Sequence, residues 1–407
     1  MGVDVFFVIS GFLITGIILS DLENKSFSFL DFYERRIRRI FPALYLVMTL
    51  CIVPTLFFLL PDESKDFFQS AGAMALFSSN ILFFTEEDYF SRASELKPLL
   101  HTWSLSVEEQ FYIVIPLVML IIHKIFNIRV LFIVMILILA SSFSCAYVMY
   151  SKDPTFAFYM LPTRMWELLI GSMGAFYIKN TNKQGNTGKV IYNVLSGVGL
   201  ALVVYALLGY DKNNSSVILY ILMATFGTIL ILLYANKGTV VQKILGFKGF
   251  VSVGVISYSL YLFHQPIIAY TNLVYIYEVT IFDKVLILLA TAILSYLNWK
   301  YVEQYFRNRI NFKRKTIFYL AGIAILTFIT LGLVADKKDG LYVGNGKNGV
   351  TYEEMESVLS FNTGLADVCN LSVSNPLCKT NENPQVILWG DCYAMYLAQQ
   401  CRTVLQK

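Results

Sequence analysis

Charge is scarce in this chain. Asp, Glu, Lys and Arg together make up 15% of its 407 residues, against about 25% in soluble domains. That excludes an ordinary soluble enzyme. The net charge is only +4, and the basic residues sit in short loops, so no basic face is available for nucleic acid. Cysteine is sparse too, with six in all and no CxxC pair of the metal-binding kind. Cys51 and Cys145 lie in apolar runs, where a cysteine behaves as a small hydrophobe. The N-terminal stretch has no basic n-region and no small-residue cleavage site, which argues against a secretory signal. Phe6 stands where a myristoylation signal needs Ser or Thr.

What fills the chain instead is apolar sequence, 56% of it. Runs of membrane-spanning length fall near 3–20, 40–60, 101–123, 130–149, 161–178, 190–209, 217–235, 252–274, 282–300 and 317–335. They predict an all-α polytopic membrane protein of about ten transmembrane helices. Residues 67–85 are apolar but interrupted by Gln69, Ser70, Gly72, Ser78, Ser79 and Asn80. If that stretch does not cross, the loops 21–39, 124–129, 179–189, 236–251 and 301–316 share one side and hold 18 Lys and Arg, against six in the loops of the other side. Short loops rich in Lys and Arg stay in the cytoplasm. The pattern therefore predicts a re-entrant or interfacial 67–85 and an extracytoplasmic tail from residue 336.

Ionisable and polar residues inside spans are costly, so they are the candidates for chemistry. "HTWSLSVEEQFY" sets His101, Ser104, Glu108 and Tyr112 near one helical face, with Glu109 adjacent. An interfacial cap is the plainer reading there, a polar cavity the sharper one. "ISYSLYLFHQPII" places Ser257, Tyr261 and His264 together before Pro266, and a structural role for the lone His is as good a reading as a chemical one. In "PTRMWELLIGS", Arg164 and Glu167 at i, i+3 read first as an ion pair. "YERRIRRIFPAL" gathers Arg35, Arg36, Arg38 and Arg39, either a topogenic cluster or a site for phosphate oxygens, which guanidinium forks match.

Taken together, "GVDVFFVISGFLI", "YERRIRRIFPAL", "LHTWSLSVEEQFY", "RMWELLIGS", "ISYSLYLFHQPI" and "YVEQYFR" resemble the acyltransferase-3 family of integral membrane O-acyltransferases. They occur in family order over residues 1–305. The tail phrase "VILWGDCYA" resembles the first block of an SGNH-type domain, as in the branch that acetylates O-antigen and cell-wall polysaccharides. The resemblance implies an acyltransferase-3-like membrane domain over 1–316, an additional helix over 317–335, an extracytoplasmic linker over 336–383 and the beginning of an α/β SGNH-like domain over 384–407.

The function implied is O-acyl transfer, in the main O-acetyl transfer. The donor would be cytoplasmic acetyl-CoA or another acyl-CoA, with no bound cofactor or metal. The acceptor would be a hydroxyl of a cell-surface polysaccharide, O-antigen, lipopolysaccharide or peptidoglycan, or of a lipid-linked precursor. The setting would be the bacterial inner membrane. By position, Arg35, Arg36, Arg38 and Arg39 would take the CoA phosphates. Glu108, Arg164, Glu167 and His264 would line the acyl path, and Cys392 would stand at the nucleophilic Ser position. Two departures accompany the resemblance. The family's first-helix Arg and His precede the GVDVFF phrase and are absent from this chain, and Tyr393 replaces the His that follows the nucleophile. A chain shortened at both ends, or an inactive remnant, is thus one alternative; a transporter or channel is the other.

Overall fold

Runs this apolar bury their backbone polar groups by coiling into helices, because lipid offers no hydrogen-bond partner. The computed structural model describes residues 1–86, 96–180, 189–210, 217–236, 238–274 and 280–341. Its long helices are α1 (Gly2–Glu23) and α2 (Phe29–Phe58), and later α5 (Thr102–Ile125), α6 (Ile128–Lys152), α8 (Leu161–Asn180), α9 (Lys189–Leu208) and α10 (Val217–Tyr234). These are followed by α12 (Lys248–Val274), α13 (Ile281–Asn298) and α15 (Arg314–Lys337). Short helices intervene: α3 (Pro61–Ala75), α4 (Ser79–Thr85), α7 (Pro154–Tyr159), α11 (Val240–Leu245) and α14 (Gln304–Arg307). A π-helical turn, Trp299–Glu303, joins α13 to α14.

Among the described residues nine helices are long and apolar enough to cross a bilayer. The tenth expected span, α8, is a helix of 20 residues whose Arg164, Glu167 and Lys179 lower its apolar character. The all-α polytopic expectation therefore holds. The elements match the expected runs closely except at α2, which begins well before residue 40. Ser28 caps it by accepting from the Asp31 N–H at 3.4 Å, and the helix continues through Pro42 and Pro54. The arginine cluster accordingly lies inside the helix.

Residues 67–85 do not form a span. They lie in α3 and α4, which are separated at Phe77, φ 52°. The break is pinned to α5: Gln110 Nε2 donates to the Phe77 carbonyl and to Asn80 Oδ1, both at 2.8 Å. The Ser79 and Ser106 hydroxyls meet at 2.8 Å. Those α5 anchors sit about 6–12 Å along the helix from its start, at 1.5 Å per residue, so this is a helical hairpin that dips in and returns. Its other side leans on α15. Lys65 pairs with Asp339 at 2.9 Å, Gln69 donates to Asp336 at 2.9 Å, and Ser64 Oγ donates to the Leu341 carbonyl at 2.6 Å. Gly340 makes the chain's close approach possible at φ 109°, where a Cβ would fall 2.2 Å from the Pro61 carbonyl oxygen.

Helices in lipid pack through small residues that let backbones meet. At the crossing of α1 and α8, a Cβ on Gly11 would lie 1.8 Å from the Leu168 carbonyl oxygen, and one on Gly171 would lie 2.0 Å from that of Val8. Thr15 Oγ1 donates to Ser172 Oγ across the same contact at 2.7 Å. Phe7, Ile14, Val107, Phe111, Ile115, Leu168 and Leu169 are buried around it. Elsewhere in the bundle, Ser259 Oγ donates to Glu303 at 2.5 Å and accepts from Asn298 at 3.0 Å, tying α12 to the π turn. The linker beyond residue 341, the SGNH-like phrase and Cys392 lie outside the described residues.

Candidate functional site

The helix α5 carries the site along one face. Nearest its start, Ser104 Oγ lies 2.9 Å from the Tyr261 hydroxyl, and that hydroxyl donates to the His101 carbonyl. The rings of His101 and His264 stand 5.3 Å apart. His264 Nδ1 is 2.6 Å from the Tyr261 carbonyl; a carbonyl only accepts, so the proton sits on Nδ1 and a neutral ring offers its lone pair at Nε2. His101 is buried, and neither ring nitrogen has a hydrogen-bond partner among the described residues. Leaving a buried polar atom unpaired costs about 1–3 kcal/mol, so the His101 ring is a site where a polar partner would be favoured.

One to two turns further along, the Glu108 carboxylate accepts from Ser10 Oγ of α1 and from the Tyr112 hydroxyl. That hydroxyl lies 2.9 Å from Ser10 Oγ, closing a three-membered group. All three side chains are buried. Glu109 is buried beside it with Oε1 unpaired. The positive charge that offsets these carboxylates comes from α2, since Arg36 and Arg39 lie within electrostatic reach of both. Arg36 sits 4.9 Å above the Tyr112 ring, a cation–π distance. Tyr33 donates to the Tyr112 carbonyl at 3.3 Å.

The four arginines divide by environment. Arg38 is buried, donating to Glu34 at 2.9 Å, to the Phe306 carbonyl at 3.2 Å and to the Phe312 carbonyl at 2.7 Å. Arg314 completes that group on Glu34 at 2.8 Å and on Asp31. Arg35 is exposed and pairs with Asp21 at 3.2 Å. Arg39 is exposed. Arg35 and Arg39 are thus the two exposed to an approaching anion, Arg36 is half-buried over Tyr112, and Arg38 is committed to tying α2 to α14 and to the segment just before α15.

Arg164 and Glu167 do pair, at 2.8 Å. Arg164 also binds Asp4 of α1 at 3.0 Å and Tyr150 at 3.3 Å. Its guanidinium lies 5.6 Å from the Trp103 ring and 5.9 Å from that of Phe7. This group therefore joins α1, α6 and α8 and meets α5 through Trp103.

At the same end as His101, a small pocket of about 30 Å³ opens between α3 and the 96–99 segment. Glu63, Asp66, Ser70 and Lys97 line it with Phe67 and Leu99. Asp66 lies outside the spans; burial pushes its carboxyl above the ordinary range, Glu86 adds to the effect and Lys97 opposes it. Among the described residues no group of three or more His, Cys, Asp or Glu side chains is arranged to hold a metal ion.

Sequence reasoning missed Asp4 and Ser10. Asp4 carried a usable signal, as an acid inside the first apolar run. Ser10 carried none, because a serine in an apolar helix ordinarily bonds its own backbone.

A family model described as an acyltransferase domain matches residues 1–299. Among curated proteins, the peptidoglycan O-acetyltransferase OatA of Listeria monocytogenes is 31% identical over 82% of this chain and 58% of its own length. The O-acetyltransferase OatA of Staphylococcus aureus is 29% identical over 76% of this chain and 53% of its own. A Haemophilus influenzae protein of uncharacterised function is 37% identical over 52% of this chain and 88% of its own. The chain thus spans little more than half the length of the two O-acetyltransferases. No solved structure matches it. With the family model covering most of the membrane helices, and its residues including Ser10, Glu108 and His264, the chain belongs to the acyltransferase-3 family of membrane acyltransferases.

Proposed function

We propose that the protein transfers an acyl group, in the first place acetyl, from cytoplasmic acyl-CoA through the bundle to hydroxyls of a cell-surface polysaccharide or its lipid-linked precursor. One observation carries this reading: the line of polar side chains on α5 from Tyr112 through Glu108 and Ser104 to His101. It spans about 16 Å at 1.5 Å per residue, with exposed arginines near one end and two imidazoles at the other. A bundle that only spans the membrane has no need of such a line, since polar groups at lipid depth are costly.

In this reading the Lys- and Arg-rich loops hold the arginine end in the cytoplasm of a bacterial inner membrane. Arg35 and Arg39 take the CoA phosphates through charge-assisted hydrogen bonds. The long, flexible arm of CoA then brings its thioester toward Tyr112 and Glu108. Glu108, already accepting two hydrogen bonds, is the proton acceptor of the transfer. The His101–His264 pair and the cavity beside Lys97 and Asp66 meet the acceptor hydroxyl. The name of the Listeria monocytogenes relative, a peptidoglycan O-acetyltransferase, supports a wall glycan as acceptor. The Cys392 phrase fits the same reading as the beginning of an outer SGNH-type unit that passes the group on.

The test is transfer of label from acetyl-CoA to glycan in membranes holding the full chain, beside Glu108→Gln. We expect labelled glycan, with turnover lower by about 10²-fold or more in the variant and an unchanged amount of folded protein. Solute flux without acetyl transfer would overturn the enzyme reading. Undiminished turnover in the variant would return Glu108 to a structural cap.

A further inference from the structure

Serine and threonine hydroxyls in the membrane helices of this protein mostly bond their own helix. Thr49 donates to the Tyr45 carbonyl, Thr228 to that of Ala224, Thr271 to that of Ile267 and Thr291 to that of Ile287, each at 2.7 Å. This is the usual refuge of a hydroxyl in lipid, four residues back along the backbone. Ser10 departs from it. Its hydroxyl leaves α1 altogether, donates to Glu108 and lies 2.9 Å from the Tyr112 hydroxyl. A hydroxyl held against a buried carboxylate has the two parts of an activated nucleophile: an oxygen, and a base to take its proton.

The surroundings fit that role. Ser10 and Glu108 are buried, 6% and 4% exposed, so water competes poorly for an ester formed there. Arg36, over the Tyr112 ring, supplies positive charge to a site that would develop negative charge at a carbonyl oxygen. Ser259 has a carboxylate partner as well, in Glu303, but it also accepts from Asn298 and lies at the π turn. It serves as an internal comparison.

We propose that Ser10 is a covalent station on the acyl path: it accepts the acyl group from the thioester and holds it as an ester before the acceptor takes it. The inference rests on the acyl-transfer reading of the same site. In the first half, Glu108 removes the Ser10 hydroxyl proton and Oγ bonds to the thioester carbonyl carbon. The C–S bond breaks, and the departing sulfur takes the proton from Glu108 to leave as the CoA thiol. In the second half, an acceptor hydroxyl attacks the ester carbonyl carbon and gives its proton to Glu108. The bond from that carbon to Ser10 Oγ breaks, and Oγ regains a proton from Glu108. No oxidant, metal or further reactant is needed. Tyr112 holds Ser10 and the carboxylate in register throughout.

The experiment mixes membranes of the full chain with labelled acetyl-CoA, with and without glycan acceptor, and stops the reaction after one turnover. Digestion and mass spectrometry then locate any acetyl group. The expected result is an acetyl ester on Ser10 that accumulates without acceptor and is discharged on adding it. It is absent from Ser10→Ala, whose transfer to glycan falls about 10²-fold or more, and unchanged in Ser259→Ala. Ser10→Cys, which retains a nucleophile, would carry a thioester that neutral hydroxylamine cleaves; that result separates a chemical role from a packing role. Labelled glycan with no adduct on Ser10, and normal turnover by Ser10→Ala, would overturn the inference and leave the acyl-transfer reading standing. An adduct that never reaches glycan would support Ser10 and overturn the acceptor. Acetyl-CoA left intact by folded wild-type protein would overturn both.

Discussion

Arg38 and Arg39 are adjacent in sequence and opposite in consequence. Arg38 gives its donors to Glu34 and two backbone carbonyls in a buried setting, while Arg39 is exposed. Removing one partner of a buried ion pair costs about 3–5 kcal/mol, mostly from the charge left behind. Arg38→Ala should therefore lower thermal stability in detergent sharply, by a loss of that order. Arg39→Ala should leave stability within about 0.5 kcal/mol, as for exposed sites, and weaken acyl-CoA binding as measured by calorimetry. Equal effects of the two variants on stability would remove the distinction. The sequence showed four arginines and their fit to phosphate, but which of them faces water is a tertiary property. The same limit hid Ser10, whose partner Glu108 lies 98 positions away. His101, Ser104, Glu108 and Tyr112 were legible together because one helix repeats its face every three to four residues.

Helices were the most legible part, since a run long enough to span lipid leaves the backbone almost no other way to pair. The exception at α2 has a local cause. Its first turns are polar, so an apolar window misses them, yet Ser28 caps them and the Glu34–Arg38 pair at i, i+4 supports them. What no periodicity reveals is where two helices touch backbone to backbone. At Gly171 an added methyl would meet the Val8 carbonyl oxygen at 2.0 Å, with the Phe12 nitrogen at 2.7 Å. Neither can swing aside as a side chain would. Gly171→Ala should force α8 from α1 and destabilise by about 1–3 kcal/mol, the usual range for overpacking. Gly254→Ala, with nothing within 4 Å of the added carbon, is the matched control. Similar melting temperatures for both would show that α1 and α8 adjust freely. The separation should also disturb Ser10, which lies beside Gly11 on the displaced helix.

Across the whole chain, the asymmetry of Lys and Arg between the two sets of loops decides orientation, and the hairpin at 67–85 is what keeps that asymmetry consistent. Had those residues crossed, every later loop would have exchanged sides. Instead α3 and α4 turn back at Phe77, held by Gln110. Two exposed positions test the resulting topology: Asp62 at the entry to the hairpin and Lys313 before α15. In intact cells, a membrane-impermeant maleimide should label Asp62→Cys and spare Lys313→Cys until the membrane is opened. The reverse pattern would invert the proposed direction of acyl movement. The six native cysteines, four of them in the tail expected outside the cytoplasm, are first replaced by Ser so that only the introduced thiol reports.

The crossing of α1 and α8 bears on how members of this family are to be judged. Gly11 sits next to Ser10 in one phrase, and Gly171 sits near Arg164 and Glu167 in another, so packing and chemistry share the same short words. A descendant that had lost its activity would still be held to both glycines, because without them the helices could not meet. It would be free to exchange Ser10 or Glu108. The familiar phrases therefore certify a fold, and on the acyl-transfer chemistry proposed above the serine–glutamate pair within them is the place to ask whether a given copy still works.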